Sequence, residues 1–243
     1  MHNSDETPKK RSTLDDFGCD TNDPPPPAAM GHYDPVWWLD YYEDYLRTVE
    51  EFLRKEAVSL REKYHEMESA IGGSSNVEEH LDAVQHFFPS LLRSSLFLAV
   101  YSCFDGAMKH TCDLVQEQRH CPTGVDGEKK GSDLEKYNRY LRRIAGVQLD
   151  RLAGWTDLTD YAKVRNCVVH YEGHLDCKRD ASQYLIKQYI PRKSSLSVAC
   201  GFYGPQIQFN QGFCEEVICT VRGFMDELNV GQWVKGYSVE PTE

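Results

Sequence analysis

Apolar residues with helical spacing, beginning just before position 40, constrain most strongly what this 243-residue chain can fold into. Aromatic and aliphatic side chains recur there at three- and four-residue steps, with charged residues between them: Trp38, Tyr41, Tyr42, Tyr45, Val49, Phe52 and Leu53. A period near 3.6 places such residues on one side of an α-helix. The pattern therefore predicts a long amphipathic helix over about 35–70, ended by the Gly-Gly-Ser-Ser turn at 72–75.

Helical patterns continue through much of the remaining chain. A second helix is predicted from about Val77 and is divided at Pro89, which fits either a break or the first position of a new helix, because proline lacks the amide that an internal helical position needs. Ser132, with Glu135 three residues later, matches a capping box and begins another helix. A helix over 90–119 places small and apolar residues close to one face: Leu91, Leu92, Ser95, Leu98, Ala99, Ser102, Cys103, Ala107 and Met108. The small ones among them, Ser95, Ala99, Ser102 and Ala107, would let another helix approach closely.

The last third of the chain adds a small β-hairpin to this mainly α fold. Thr156 is a good N-cap for a helix that Gly173 would stop, and a last helix is predicted over about 211–228. Between them the period shortens, which predicts strands at 184–186, 196–200 and 206–209, the last two joined by the turn 201–205. We expect an antiparallel helical bundle over 32–232, a disordered tail over 1–31 and a C-terminal tail over 233–243.

Composition excludes several classes of protein. The formal net charge of -11 argues against a protein that coats nucleic acid through bulk charge. No run approaches the roughly 18 consecutive apolar residues of a membrane-spanning helix, and the first 30 residues lack the apolar segment of a secretory signal. The nine scattered cysteines then indicate reduced thiols, so we expect a cytoplasmic protein with no membrane partner.

The charge is unevenly distributed along the chain. Residues 128–193 hold 14 basic and nine acidic side chains, a net charge of +5, so the rest of the chain sums to -16. A local positive segment suits a limited RNA-binding cleft in a protein that avoids indiscriminate binding to nucleic acid. The acidic total therefore limits how much RNA is contacted and does not exclude RNA.

This positive segment contains the densest cluster of functional side chains, KVRNCVVHYEGHLDC over 163–177. Asn166 and His170 are four residues apart and share a helical face, whereas Arg165 lies about 140° from His170 around the axis. Arginine binds phosphate oxygens through two donors and stays charged, and histidine can transfer a proton. If Gly173 ends the helix, the helix dipole favours the protonated form of His170. The cluster is therefore typical of phosphate chemistry.

The segment Arg165-Asn166-Cys167-Val168-Val169-His170 resembles the R-(polar)-x3-H signature of the HEPN superfamily (higher eukaryotes and prokaryotes nucleotide-binding domain). The long helices before the motif and the single helix after it also fit that family. The resemblance implies an endoribonuclease that needs no metal or cofactor, with a site formed where two copies of the motif face each other. It further implies a toxin or anti-phage defence effector, whose partners are RNA, a second copy and an antitoxin or regulatory protein.

The same resemblance implies roles for individual residues. His170 would act as base or acid, and Arg165 would bind phosphate or stabilise the transition state. Asn166 would support them. The family often has an acid near the site on its second helix, and Asp105 is the candidate for that acid here.

Four further residues near the motif are expected to support the site or to contact RNA. Lys163 and Tyr171 are the candidates for support, and Lys178 and Arg179 are the candidates for RNA contacts. In the toxins of this family that are silenced by adenylylation, a tyrosine lies two residues after the histidine. Tyr171 directly follows His170 here, so we do not expect that regulation.

A non-catalytic helical module of the same fold, which binds RNA or a partner protein, is the main alternative. In that interpretation the motif is structural. Arg165 would pair with a nearby acid, Asp160 or Glu172, and His170 would only pack against its neighbours.

Two other patterns have a chemical and a structural interpretation. The motif segment could instead bind zinc, because it contains cysteines and histidines at a spacing typical of zinc ligands: Cys167, His170, His174 and Cys177. The aromatic cluster near the start of the first helix could stack RNA bases, but its helical spacing favours packing in the bundle core or a dimer: Trp37, Trp38, Tyr41, Tyr42 and Tyr45.

Overall fold

Helices form most of the described chain, and one β-hairpin precedes the last of them. A computed structural model describes residues 37–71, 75–176, 178–201 and 204–228. Its elements, in chain order, are α1 (Trp38–Ile71), α2 (Ser75–Asp82), α3 (Phe88–Gln118), α4 (Asp133–Ala145), α5 (Trp155–Tyr171), α6 (Asp180–Tyr184), β1 (Leu196–Gly201), β2 (Gly204–Phe209) and α7 (Phe213–Leu228). The mainly α class with a hairpin before the last helix is confirmed. The predicted tails, 1–31 and 233–243, and most of the turn at 72–75 lie outside the described residues.

The helix does not break at Pro89, and of the two predicted roles of this proline the structure has the position at the start of a helix. A π-helical turn, Ala83–Phe87, joins α2 to α3, and the backbone amide of Phe88 donates to the carbonyl of Ala83. Pro89 lies in the first turn of α3, where the widened turn before it accommodates the missing donor. Asn76–Arg119 is therefore one continuous helix. By length and composition it could cross a membrane, as core helices of soluble proteins also could, so the absence of a membrane partner stays a prediction.

The α3 residues that the sequence groups on one face divide between the core and the surface. Its buried residues are Leu96, Phe97, Val100, Tyr101, Phe104, Ala107, Met108, Thr111, Cys112 and Val115. Ser95 and Ser102 are exposed, and Leu91 is 53% exposed. Aromatic bulk decides the orientation, because burying phenylalanine removes far more apolar area from water than burying serine. Leu92 and Leu98 pack partly buried against the core, and the exposed row is called the outer strip of α3: Leu91, Ser95, Ser102 and Gly106.

One predicted helix start is confirmed and one is wrong. The Ser132 hydroxyl accepts from the Glu135 amide at 3.4 Å, and the Glu135 carboxylate accepts from the Ser132 amide at 2.8 Å, which completes the capping box of α4. Thr156 does not cap α5. That helix begins after Gly154, whose φ of +82° favours glycine, and a Cβ added there would lie 3.1 Å from the Thr220 methyl of α7. This close approach of α7 has no signature in the local sequence.

The strand predicted at 184–186 is helical. α6 continues through a π-helical turn, Leu185–Tyr189, and a short 3-10 turn, Ile190–Arg192. Leu185, Tyr189 and Ile190 are all buried, so the apolar period over this longer window is helical. A window of three apolar residues is too short to distinguish the two periods.

The hairpin fixes the end of α5. β1 and β2 are antiparallel, as the segments 196–200 and 206–209 predict, and α5 ends at Tyr171, just before Gly173. The Ile207 amide donates to the Gly173 carbonyl at 2.9 Å, and the Leu175 amide donates to the Pro205 carbonyl at 2.8 Å. The chain after α5 is therefore bonded to β2, which anchors the helix end that carries the motif.

Aromatic rings fill the centre of the fold. The Phe97 ring of α3 is fully buried, with ring centroids 5.3 Å from Phe213 of α7, 5.8 Å from Phe209 of β2 and 6.3 Å from Tyr161 of α5. Phe213 also lies 5.8 Å from Tyr161. Edge-to-face and tilted pairs at these separations are favourable beyond the area that they bury. This cluster joins four elements of different sequence position.

The aromatic residues of α1 divide between two environments. Trp38 and Tyr42 pack against the core, one of the two environments predicted for the group. Trp37, Tyr41 and Tyr45 are 60%, 68% and 52% exposed, so they lie outside the core of this chain, and packing in a dimer stays a prediction for them. These three side chains point about a quarter turn or more away from the side of α1 that faces the core. Steps of three and four residues are too coarse to reveal this rotation from the sequence.

Phe97→Ala is expected to lower the free energy of unfolding by about 3–5 kcal/mol, because a buried ring is lost and a cavity is left among four elements. Urea denaturation followed by circular dichroism measures the change. The matched control is Phe52→Ala, since that side chain is 63% exposed and its loss should change the stability by less than ~0.5 kcal/mol. Equal effects of the two substitutions would contradict the packing described here.

Candidate functional site

The motif lies on α5 with its apolar residues turned inward. Leu158, Tyr161 and Val164 are fully buried, and Cys167 is 5% exposed. These positions follow three-residue steps along one side of the helix, so the polar residues of the motif are placed on the other side. Arg165 is half-buried there, whereas Asn166 and His170 are exposed.

Arg165 and Asn166 line a cleft of about 260 Å³ between three helices. The Arg165 Nη1 atom donates to Asn166 Oδ1 at 3.0 Å, which orients the guanidinium. The other walls come from α3 and from the beginning of α4, and their residues are Tyr101, Ser102, Asp105, Gly131, Ser132, Asp133 and Leu134, with Ala162 from α5. Asp105, the acid proposed from the second long helix of the family pattern, thus lies in the same cleft as Arg165.

Asp105 is held in place by α4. The Tyr137 hydroxyl donates to Asp105 Oδ1 at 3.0 Å. Burial raises the pKa of Asp105 above its usual value and Asp133 adds to the rise, while the Tyr137 hydroxyl and the Arg165 guanidinium act in the opposite direction. Burial also raises the pKa of Tyr137, which therefore remains a hydrogen-bond donor. The cleft thus contains a fixed cation and a carboxyl group that resists ionisation.

His170 does not line this cleft. It is exposed in the last turn of α5, with its ring centroid 6.2 Å from that of Tyr171. The Arg179 guanidinium lies 3.4 Å from the centroid of the Tyr171 ring, a cation–π contact, and its Nε is 3.7 Å from Asp176. The structure therefore gathers His170, Tyr171 and Arg179 at the end of α5, about one and a half helical turns from Arg165.

Lys163 and Lys178 lie elsewhere. The Lys163 ammonium donates to Asp160 Oδ1 at 2.7 Å and lies 3.8 Å from the centre of the Tyr184 ring. The Tyr184 hydroxyl also donates to the buried Asp160 carboxylate, at 2.8 Å. Lys163 thus belongs to a structural cluster on the α6 side of α5. Lys178 is exposed, and its backbone amide donates to Asp176.

Two alternative interpretations of the motif can be compared with these positions. Asp160, a suggested structural partner of Arg165, bonds to Lys163 and Tyr184, and the hydrogen bond described for Arg165 goes to Asn166. Among the suggested zinc ligands, the Cys167 thiol is buried and donates to the His174 carbonyl at 3.4 Å.

Burial raises the pKa of Cys167 to about 11, which disfavours the thiolate that zinc binds. Cys177 lies outside the described residues. Within the described ranges, no three His, Cys, Asp or Glu side chains come together as a metal site.

Sequence reasoning misses the contribution of α4 to the cleft. Ser132 and Glu135 are recognisable as a helix start, but nothing in their spacing indicates that this start lies beside Arg165. The sequence pattern predicts only that Tyr137 lies on the apolar face of its helix, yet its hydroxyl group orients the Asp105 carboxyl group. A contact between residues more than 30 positions apart has no local signal in a single sequence.

Compared with protein-family models, curated proteins and solved structures, the chain matches none of them.

Asp105→Asn is expected to raise the stability at neutral pH. Because the folded-state pKa of Asp105 is raised above its usual value of 3.8, its ionisation costs folding free energy as the pH rises through that pKa. The variant should therefore be more stable than the parent at pH 7, and the difference should shrink below about pH 4, where both side chains are neutral. Urea titrations at several pH values measure this.

The exposed Asp126→Asn serves as the control for Asp105→Asn and should stay within ~0.5 kcal/mol of the parent. A pH-independent difference between the Asp105 variant and the parent would contradict the described environment of this carboxyl group.

Proposed function

We propose that this chain is a metal-independent endoribonuclease of HEPN type, with a composite site at the interface of a homodimer. The observation that carries the proposal is the placement of Arg165, Asn166 and Asp105 in one cleft on the outer side of α5. That placement agrees with the roles implied by the motif resemblance. Asp105 and Arg165 are 60 positions apart in the sequence. A chance match to the six-residue motif would not by itself bring these two residues into one cleft.

The chemistry of the cleft suits a phosphodiester. The Arg165 guanidinium can bind two non-bridging oxygens of a phosphate, and Asn166 keeps it oriented. A carboxyl group with a raised pKa, such as Asp105, repels an approaching phosphate less than an ionised one would, and in its protonated form it can donate a hydrogen bond. These groups support binding and charge stabilisation more than nucleophilic attack.

A second copy would complete the site. His170 is exposed, and Val169 beside it is 47% exposed, so this end of α5 presents an apolar and a titratable group without a cover in the described chain. The outer strip of α3 is exposed and contains no charged residue. Pairing of these faces across a two-fold axis would remove them from water and bring two motifs together.

Cleavage would proceed by attack of the RNA 2′-hydroxyl on the adjacent phosphorus. The O2′–P bond forms and the P–O5′ bond breaks, giving a 2′,3′-cyclic phosphate and a 5′-hydroxyl end. His170 would accept the proton of the 2′-hydroxyl or donate one to the leaving oxygen, and Arg165 would stabilise the charge that develops on the equatorial oxygens. Tyr171 would hold Arg179 at the end of the helix, where it and Lys178 could contact neighbouring phosphates.

The proposed setting is cytoplasmic, with the protein acting as a toxin or defence effector under an antitoxin or regulatory protein. A non-catalytic module that binds RNA or a protein is the second candidate. One observation favours it: His170 lies outside the cleft that Arg165 lines in a single copy. The two candidates differ in the role of the second copy. Only the ribonuclease needs a second copy to bring a His170 side chain close to an Arg165 side chain.

Arg165→Ala and His170→Ala are each expected to abolish RNA cleavage by the purified protein in the presence of EDTA. Loss of the phosphate ligand or of the proton-transfer group should lower the rate at least about a hundredfold. Cleavage of mixed-sequence RNA is followed on gels, and the ends are identified by their response to a phosphatase and a 5′-kinase.

Matched controls keep the assay specific. Arg151→Ala and His110→Ala remove the same residue types at exposed positions outside the cleft, and both should cleave as the parent does. Circular dichroism checks that all four variants fold. Intact RNA with the parent protein, or full cleavage by either motif variant, would sink the catalytic proposal. RNA binding without cleavage would favour the non-catalytic module.

A further inference from the structure

A groove of about 910 Å³ runs along α1 on a side that shares no lining residue with the Arg165 cleft. One wall is α1 from Glu43 to Arg61, which makes the groove about 27 Å long at 1.5 Å per residue. The other wall is the π-helical turn before α3, with the beginning of α7 at one end. Gln85 lines it, and within the described chain its amide nitrogen has no hydrogen-bond acceptor.

The α1 wall repeats every seven residues. Arg47, Arg54 and Arg61 form one column, and Glu43, Glu50 and Ala57 form the next. Because seven residues make nearly two helical turns, each column follows one line along the helix surface. The groove wall therefore presents a line of arginines beside a line with two glutamates, and no helix of the described chain fills the groove beside it.

The charges on this wall are complementary to themselves when the helix is reversed. In an antiparallel pair of α1 helices centred on position 52, Glu43 faces the partner's Arg61, and Glu50 faces the partner's Arg54. The two residues of each pair are equally far from position 52 along the chain, so they are rotated about the helix axis by equal and opposite angles from the direction of the two-fold axis. Both residues of a pair can therefore point toward the partner helix. The two-fold axis repeats both contacts, which gives four ion pairs, and places Arg47 against the partner's small Ala57.

The groove side chains can make these pairs. Arg61 is exposed and has no ion pair with the described residues, and the Arg54 side chain is 69% exposed, with its nearest acid, Glu51, at 3.9 Å. Glu43 is 53% exposed and contacts Arg222 at 3.1 Å. Glu50 accepts from Arg93 Nε at 2.7 Å at the base of the groove, and its carboxylate has further acceptor capacity for a second arginine.

We propose that a second copy of this chain occupies the groove, with the two α1 helices antiparallel about position 52. The interface is isologous, as a two-fold contact requires. Self-complementary charge selects this occupant over RNA, because the acids that alternate with the arginines repel phosphates. The inference is independent of the proposed function. If both interfaces form, each copy carries two self-associating faces, and dimers assemble into tetramers or longer chains.

Arg61→Glu tests the contact by replacing two attractions with two repulsions in each pair of copies. The molar mass in solution, measured by sedimentation and light scattering at about 0.05 M NaCl, should fall to half that of the parent or less, and the dissociation constant should rise by roughly tenfold or more. The far-ultraviolet circular dichroism spectrum should match that of the parent, since Arg61 has no ion pair with the described residues to lose.

The charge swap is the decisive variant. Glu43→Arg alone should also halve the mass, whereas Glu43→Arg combined with Arg61→Glu should restore it, because the opposed charges are exchanged together. Arg47→Glu is the matched control and should keep the parent mass, since this residue faces Ala57. Equal molar masses for the parent, Arg61→Glu and the doubly substituted variant would overturn the inference. It would also be overturned if the doubly substituted variant folds but does not recover the molar mass of the parent. RNA cleavage is measured separately, so neither result affects the test of the proposed function.

Discussion

The packing of aromatic rings around Phe97 is the interaction on which the rest of the structure depends. This one buried ring contacts α5 through Tyr161, β2 through Phe209 and α7 through Phe213. Because Tyr161 lies on the inner side of α5, its packing fixes which residues of that helix face outward. The exposure of Asn166 and His170 and the half-burial of Arg165 are consequences of that choice. The site is therefore determined by the core that lies beneath it.

Ion pairs then determine which charges remain for a ligand. The positive segment 128–193 does not form one free basic surface, because many of its cations already have acidic partners. Lys193 bonds to Asp157 and Glu216, which ties the chain after α6 to both α5 and α7. Arg165 differs from these, because its side chain bonds to the neutral amide of Asn166 and not to a carboxylate. The cations without an acidic partner are thus fewer than the 14 basic side chains of the segment.

Strongly periodic features were predictable from the sequence. The long first helix, the capping box at Ser132, the hairpin strands and the last helix all appear where the pattern indicates. The π-helical turn before Pro89 was not predictable, because the geometry that accommodates the proline lies in the residues before it. The sequence groups small and apolar residues of α3 on one face, but the structure buries Ala107 and Met108 and exposes Ser95 and Ser102, because the larger aromatic residues of the helix determine which side meets the core.

Only the site residues that lie on one helix, α5, could be predicted together from the sequence pattern. Arg165, Asn166 and His170 are close in sequence, and the expectation that they share α5 is met. Asp105 required a family resemblance, and Tyr137 had no signal, because both depend on contacts between α3, α4 and α5. Lys163 was grouped with the motif by sequence proximity, yet two residues along a helix rotate a side chain by about 200°, onto the α6 side where Asp160 binds it.

The most direct test of this account is the arrangement of two motifs in the assembled protein. A crystal structure of the purified oligomer measures the distance between the Arg165 and His170 side chains of neighbouring copies. The account predicts that both pairs meet in a single cleft across a two-fold axis, close enough to contact one phosphodiester. Motifs that open to solvent on opposite sides of the assembly would contradict it.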